Sequence, residues 1–339
     1  MSSVRHISVI GAGAWGTALA KHLAEKGLTI RLWAYEQEVV HAIQAKQENS
    51  IFLPGVMLPR TLTATSSMAD ALEGCEAVLF VVPSHVTRSV VQSLASCLSG
   101  PVPLISATKG IEEETSKLMT QVMEDVLPPT MVPMIMALSG PSFAVELSAG
   151  KPTAVCLAGR DSGIVQRFQQ AFMTPALRVY ADADLLGVQL GGALKNVMAL
   201  AAGVVEGLGL GLNARAALIT RGLAEIVRLG AAMGADTRTF YGLSGVGDLV
   251  LTCTGTLSRN HMVGLRLGQG DRLDTILNSM QAVAEGVRTA HAALGLARRY
   301  GIDMPITQEI NAVLFEGKSC RKAVSDLMER EAKPEKGQG

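Results

Sequence analysis

The stretch Val4–Gly16, VRHISVIGAGAWG, decides the reading of the fold. A short apolar strand runs straight into Gly11-x-Gly13-x-x-Gly16, and an Ala/Leu-rich helical pattern begins at once. Each glycine has a physical task. Gly11 permits the tight turn, Gly13 lets backbone approach a pyrophosphate, and Gly16 lets the helix pack close to the strand. The helix that opens there, through Ala14 and Trp15, offers N–H groups and the positive end of its dipole to an anion. A second strand pattern, Leu28–Ala34, follows, and Glu36 lies twenty residues past Gly16. The glycine spacing alone is weak evidence. Strand, turn, helix, second strand and acidic residue in order predict a βαβ dinucleotide site.

The alternation continues outward from that unit. Apolar strand patterns recur at Ala77–Val82, Val102–Ala107, Val132–Leu138 and Thr153–Ala158, with helical spacing over Thr87–Leu98 and Glu114–Val126 between them. Continuous apolar strands separated by helices indicate a parallel sheet covered on both faces, so the expected fold is α/β, doubly wound and Rossmann-like. From about Gly187 the strand signals stop. Long Ala/Leu/Gly patterns over Gly187–Glu206, Ala214–Met233, Gln281–Tyr300 and Pro305–Leu314 predict an all-α second domain. The boundary is expected near Leu185–Gly192, giving domains 1–188 and 189–330, with the polar 331–339 stretch as a disordered tail.

Composition removes several classes of function. Thirty basic and thirty acidic residues give zero formal net charge, which makes no electrostatic case for nucleic acid or an anionic membrane. Any anionic ligand must be held by local basic groups. The cysteines, Cys75, Cys97, Cys156, Cys253 and Cys320, are odd in number and scattered, which argues against a disulfide framework or zinc site and for a reducing compartment. No signal-peptide pattern opens the chain, and a cytoplasmic location is expected. Leu185–Val205 is apolar and about long enough to span a bilayer, but Lys195 sits at its centre with ten uncharged residues on each side. A lysine there is costly in lipid, so the segment reads as a buried helix and no stable membrane association is expected.

Ligands of open parallel sheets bind beyond the carboxyl ends of the strands. The segments just past those ends are Pro83-Ser84-His85, Thr108-Lys109-Gly110 and Ser139–Ala144 (SGPSFA). Lys109 is placed to neutralise a phosphate or to be a solvated loop lysine. The Gly140–Ala144 turn is placed to approach a nicotinamide ring or to be an ordinary strand-to-helix turn. Burial in an apolar helix would lower the pKa of Lys195 and fit it to exchange a proton near neutral pH, with Asn196 fixing its geometry. The alternative is a lysine snorkelling from the helix surface. Gly245–Asn260, GVGDLVLTCTGTLSRN, gathers Asp248, the hydroxyls of Thr252, Thr254, Thr256 and Ser258, and Arg259-Asn260 at a helix start. Hydroxyls, an arginine fork and a helix N-terminus all hold phosphate oxygens, and Asp248 is a candidate partner for Lys195. Glu285, in Val283-Ala284-Glu285-Gly286, reads equally as a helix-start residue or a cofactor contact. The six histidines show no metal spacing, and no nucleophile elbow or Walker pattern occurs, which leaves hydride transfer.

Taken in order, several segments resemble bacterial-type NAD(P)-dependent glycerol-3-phosphate dehydrogenases. They are GAGAWGTALA (Gly11–Ala20), VVPSHV (Val81–Val86), ATKGIE (Ala107–Glu112), SGPSFAVEL (Ser139–Leu147), GVQLGGALKNV (Gly187–Val197), RGLAEIVRLGAAMGA (Arg221–Ala235), the Gly245–Asn260 segment and AEGVRTA (Ala284–Ala290). The resemblance runs over about Val4–Arg321. It implies reversible reduction of dihydroxyacetone phosphate to sn-glycerol 3-phosphate with NADPH or NADH, supplying the phospholipid backbone. It implies that Lys195 gives and takes the proton. Lys109, Gly140, Ser142, Asp248, Ser258, Arg259 and Asn260 would contact substrate, the phosphate falling to Arg259 and Asn260; on the residue reading, Asn196 beside Lys195 and Thr252 of the hydroxyl cluster join that set. Gly11, Gly13, Ala14, Trp15, Gly16, Tyr35, Lys109, Ala144, Arg259, Val283 and Glu285 would hold the dinucleotide, with the substrate in the cleft between domains.

Two positions depart from the family pattern. Tyr35 stands where many relatives carry a basic residue and is followed by Glu36, which suits a ribose 2′-OH and repels a 2′-phosphate. Ala14 stands where serine is frequent, so a contact there runs through backbone. A homodimer is the expected assembly. Another dehydrogenase of the same build, or a nicotinamide-sensing regulator, is the alternative reading. The phosphate-suited cluster disfavours the first, and the lack of a basic helix-turn-helix pattern disfavours the second.

Overall fold

The computed structural model describes residues 4–280, 283–332, 334 and 335. Its contacts divide the chain into two compact units. One takes in the chain up to Lys109 and Lys117–Gln189; the other takes Gly110–Ser116 and the chain from Leu190 onward.

The first unit is built on one sheet of eight strands: β1 (His6–Ile10), β2 (Thr29–Trp33), β3 (Leu62–Thr65), β4 (Ala77–Phe80), β5 (Leu104–Ser106), β6 (Ile135–Ser139), β7 (Thr153–Gly159) and β8 (Leu177–Asp182). Their spatial order is β3-β2-β1-β4-β5-β6-β7-β8. The first six run parallel, which is the doubly wound order that reverses direction between β1 and β4. The sheet departs from a wholly parallel one at β6·β7, which pair antiparallel, with Met136 opposite Gly159 and Ser139 opposite Cys156. β8 then runs parallel to β7. Helices α1 (Ala14–Glu25), α2 (Gln37–Lys46), α3 (Met68–Leu72), α4 (Thr87–Cys97), α5 (Met119–Val126), α6 (Ala144–Ser148) and α7 (Ser162–Phe172) connect the strands.

Central strands β1, β4, β5 and β6 are buried on both faces, which is why they read as unbroken apolar runs. One core gathers Ile7, Val9, Leu19, Leu23, Leu79, Ile105, Leu138 and Leu157; a second, on the other face, gathers Ile10, Val78, Phe80, Leu94, Leu104 and Ile135. The alternation of Val9 with Ile10 and of Leu79 with Phe80 between the two cores is the period-2 geometry of a strand.

The second part of the chain is helical: α8 (Leu185–Gly207), α9 (Gly211–Met233), α10 (Asp248–Thr254), α11 (Arg259–Gly268), α12 (Leu273–Asn278), α13 (Glu285–Tyr300), α14 (Pro305–Phe315) and α15 (Cys320–Met328). Gln281 and Ala282, within the helix expected over Gln281–Tyr300, lie outside the described residues, as does part of the tail expected over 331–339. α8 is the one helix among the described residues long and apolar enough to cross a membrane, and it is buried. Its packing against α11 is unusually close. A Cβ on Gly203 would meet the His261 carbonyl oxygen at 2.1 Å, and one on Gly264 would meet that of Leu200 at 1.9 Å. Gly207 and Gly268 repeat the pattern one turn on. Small residues four apart on both helices let the backbones touch, the same device used between membrane helices.

Glu225 of α9 secures the start of α14. Its carboxylate, 1 % exposed, accepts from the Ile306 N–H at 2.6 Å, the Thr307 N–H at 3.2 Å and the Thr307 hydroxyl at 3.1 Å. Met304, the residue before Pro305, contributes no side-chain cap, so a buried acid from another helix satisfies the orphan donors. Burial pushes this carboxyl up to about 7, against the pull of those donors. The folded chain therefore holds a proton there that the unfolded chain releases near pH 4.5, and stability falls as pH rises from about 4.5 to 7. Thermal melts of the wild type against Glu225→Gln should show this: the wild type loses about 3 kcal/mol more than the variant across that window. Parallel pH profiles would refute the assignment.

Candidate active site

The glycine turn sits where β1 and β4 diverge. Gly11 has φ +116°, a conformation that L side chains rarely adopt, and a Cβ on it would lie 2.5 Å from the Val81 carbonyl oxygen. A Cβ on Gly16 would fall 1.9 Å from the Gly11 carbonyl oxygen, so α1 abuts the turn only because position 16 is glycine. A Cβ on Gly13 would meet nothing within 4 Å, so open space lies over that backbone. The three positions thus differ as a dinucleotide turn requires: two glycines are locked by neighbouring backbone and the middle one faces room for a ligand. α1 carries no acidic residue in its first turn to offset the positive end of its dipole. Trp15, half-buried beside it, has a buried indole N–H with no acceptor among the described residues. These features fit a dinucleotide.

The other first-unit candidates lie past the strand ends. The Lys109 ammonium donates to the Gly140 carbonyl oxygen at 3.0 Å, and the Ser142 hydroxyl donates to the same oxygen at 2.8 Å. Gly140 has φ +138° and is wedged against the β7 backbone, where a Cβ would stand 3.0 Å from the Val155 Cα. Lys109, Gly140 and Ser142 therefore form one cluster, with Ala144 opening α6 just beyond it. Tyr35 is 80 % exposed, and Glu36 caps α2 through backbone only, leaving its carboxylate uncommitted to the cap.

In the second unit Lys195 is 7 % exposed and lies on α8. Its ammonium pairs with the Asp248 carboxylate and donates to Thr252 Oγ1 at 2.9 Å. Thr252 passes its own proton to the Asp248 carbonyl oxygen at 2.6 Å. Both contacts hold the ammonium at a fixed point on α8, charged and hydrogen-bonded. Packing explains how Asp248, itself fully buried, reaches the lysine. Gly191, one turn before Lys195 on the same face, lets the 244–245 backbone come close, a Cβ there meeting the Ser244 carbonyl oxygen at 2.5 Å. The chain then kinks at Gly245 (φ −98°, ψ −106°) and enters α10 at Asp248. Cys253 is buried beside the pair, and burial pushes its thiol up to about 12, which removes it as a nucleophile.

Arg259 and Asn260 open α11, whose first turn carries no acid. The Ser258 hydroxyl is spent as the cap, accepting from the His261 N–H at 3.2 Å. By helix geometry the N–H groups of Arg259 and Asn260 have no intrahelical acceptor. Arg259 is exposed, its pKa lowered by the surrounding protein with Glu285 opposing, and it makes no hydrogen bond to a described side chain. The four hydroxyls read in the sequence as one anion cluster have separate duties. Thr252 serves Lys195, Thr254 donates to the Val250 carbonyl oxygen at 2.8 Å, Ser258 caps α11, and Thr256 is exposed. Glu285 begins α13, with Val283 exposed just before it. Sequence reasoning missed the crossing glycines Gly203, Gly207, Gly264 and Gly268, whose four-residue spacing was visible, and Glu225, which left no local signal.

A turn shaped for a dinucleotide and a buried lysine paired with a carboxylate are the equipment of a nicotinamide-dependent dehydrogenase. Family models described as the N-terminus and C-terminus of NAD-dependent glycerol-3-phosphate dehydrogenase match residues 6–165 and 184–325. The chain is 53% identical over 330 residues to a glycerol-3-phosphate dehydrogenase [NAD(P)+] of Geobacter sulfurreducens, covering 97% of this chain and 98% of that one. It is 54% identical over 331 residues to the protein so named in Geobacter metallireducens, covering 98% and 99%. The crystal structure of glycerol-3-phosphate dehydrogenase from Coxiella burnetii superposes with a TM-score of 0.92 at 38% identity, covering 96% of this chain and 99% of that one. The chain belongs to the NAD-dependent glycerol-3-phosphate dehydrogenase family.

Removing Asp248's charge strands a buried ammonium. Asp248→Asn is expected to cost about 3–5 kcal/mol in urea unfolding, and Lys195→Met in the same chain to recover most of it. Equal stability of wild type and Asp248→Asn would show that the pair is not the counter-charge inferred here.

Proposed function

We propose that this chain is an NAD(P)-dependent sn-glycerol-3-phosphate dehydrogenase that reversibly reduces dihydroxyacetone phosphate. The observation that carries the reading is the Lys195 ammonium, buried and paired with Asp248 and Thr252. Bound nicotinamide supplies the hydride. As negative charge grows on the substrate oxygen, Lys195 stabilises it and transfers a proton; in the reverse direction Lys195 takes the proton back. Asp248 keeps the lysine charged and Thr252 aims it. Arg259, Asn260 and the first turn of α11 hold the phosphate, and that remote binding orients the reacting carbon. Lys109, Gly140, Ser142, Asn196 and Ser258 complete the substrate set.

Gly11, Gly13, Ala14, Trp15 and Gly16 cradle the pyrophosphate, Tyr35 lies by the adenosine ribose, and Lys109, Ala144, Arg259, Val283 and Glu285 complete the cofactor contacts. Glu36 favours a ribose 2′-OH over a 2′-phosphate. In this reading residues 1–188 carry the dinucleotide and 189–330 the proton donor and phosphate site. The enzyme is cytoplasmic and dimeric and supplies the glycerol phosphate of phospholipids.

Mixing the protein with NADH and dihydroxyacetone phosphate should consume nicotinamide absorbance; no consumption with either NADH or NADPH would refute the reading. Lys195→Ala should lower kcat by about 10²–10⁴-fold with cofactor affinity nearly unchanged. Arg259→Ala should act mainly on KM for the phosphate substrate, lowering kcat/KM by about 10–100-fold. Normal turnover in the first variant or an unchanged KM in the second would count against the respective role.

A further inference from the structure

Three segments of the second unit meet through two side-chain amides. The Gly286 N–H, in the first turn of α13, donates to Asn260 Oδ1 at 2.9 Å. Asn260 Nδ2 donates to Asn196 Oδ1 at 2.9 Å. Asn196 Nδ2 points back along α8 toward the Gly192 carbonyl oxygen at 3.5 Å. Both asparagines are buried, at 8 % and 5 % exposure. Polarity runs one way along this chain. A backbone N–H can only donate, so Asn260 must present its oxygen to α13 and its nitrogen to α8, and Asn196 must answer with its oxygen. The fit is tight: a Cβ on Gly286 would lie 2.5 Å from the Asn196 carbonyl oxygen and 2.9 Å from Asn260 Oδ1.

Each link is the immediate neighbour of a group to which the reading above gives a chemical role. Asn196 follows Lys195, Asn260 follows Arg259, and Gly286 follows Glu285. We propose that the Gly286–Asn260–Asn196 chain is a positioning clasp. It fixes the cofactor-contacting start of α13, the phosphate-binding start of α11 and the proton donor on α8 in one register, and it orients both amides so that their N–H groups are available to a ligand. Asn260 keeps one Nδ2 hydrogen beyond the clasp and Asn196 Nδ2 makes only the long contact to Gly192, so what remains suits the acceptor oxygens of an anionic or carbonyl substrate. The proposal rests on the dehydrogenase reading for its consequences in catalysis and on the hydrogen bonds alone for its consequences in structure.

Asn196→Ala separates the clasp from a plain substrate contact. A residue that only touched substrate would raise the KM for dihydroxyacetone phosphate and leave NADH binding alone. The clasp predicts that the dissociation constant for NADH, read by nicotinamide fluorescence without substrate, rises about tenfold, as expected for loss of one buried hydrogen bond at the far end of the chain. It also predicts that amide hydrogen exchange of Gly286 speeds by about tenfold or more in the protein alone. The double variant Asn196→Ala, Asn260→Ala should bind NADH no worse than Asn260→Ala, because the second deletion removes a link already broken. Gly286→Ala should weaken NADH in the same way.

Unchanged NADH affinity and unchanged Gly286 exchange in Asn196→Ala would overturn the proposal, and so would additive losses in the double variant. If Asn196→Ala fails to fold, Asn196→Asp keeps the acceptor that Asn260 needs and should retain slow Gly286 exchange; fast exchange there would overturn the clasp as well. A wild type that turns over no dihydroxyacetone phosphate would defeat the functional reading, while the exchange measurement would still decide the clasp.

Discussion

The second unit is organised around one charge that water does not reach. Moving an ammonium into a protein interior costs several kcal/mol, and a single counter-ion seldom recovers all of it. Lys195 stands because Asp248 lies against it and Thr252 supplies an oxygen. Those partners stand because Gly191 admits the 244–245 backbone and Gly245 kinks it so that α10 begins at Asp248. A methionine at position 195 over an apolar neighbour would fill the same space with less penalty. A buried pair at the centre of the long apolar helix α8 is therefore a cost to folding, which the proposed proton transfer by Lys195 would justify.

The same helix shows how close packing serves chemistry. Gly203 and Gly207 on α8 meet Gly264 and Gly268 on α11 with backbone in contact. That crossing carries the start of α11, with Ser258, Arg259 and Asn260, up against the stretch of α8 that holds Asn196. Larger residues would push the helices toward the usual separation of about 8–10 Å and pull Asn260 off its partner. Stability and site geometry depend here on the same four missing side chains, so substitutions at this crossing cannot be read as folding effects alone.

Much of this was legible in the sequence, for reasons that are local. The glycine turn after β1 depends on residues within one short stretch, and the apolar runs of β1, β4, β5 and β6 follow from burial on both faces. The two strands that were missed, β3 (LTAT) and β8 (LRVYAD), are the two edges of the sheet. Each alternates buried with exposed residues, so neither shows a continuous apolar run. The reversed pairing of β7 leaves no mark either, because burial sets composition and strand direction does not. α10 was hidden inside a segment read as a polar motif: four of its seven residues are buried, but its length is two turns. Asp248 was a candidate partner for Lys195 by type. The clasp was beyond reach, since its links join residues 64 and 26 positions apart.

Zero net charge sets the final constraint. A chain that binds a dinucleotide and a phosphorylated substrate gains nothing from a general positive field, so the attraction must be built at the points of contact. α1 and α11 have first turns free of acids, so nothing in those turns opposes an anion at their positive ends. Arg259 adds a full positive charge in the first turn of α11, opposed by Glu285. Lys195 adds none to spare, because Asp248 cancels it at close range. In the reading proposed above, Arg259 and backbone would recognise the phosphate, and the Lys195–Asp248 pair would meet the reacting oxygen as it turns negative. An interaction that strengthens along the reaction is what separates catalysis from tight binding.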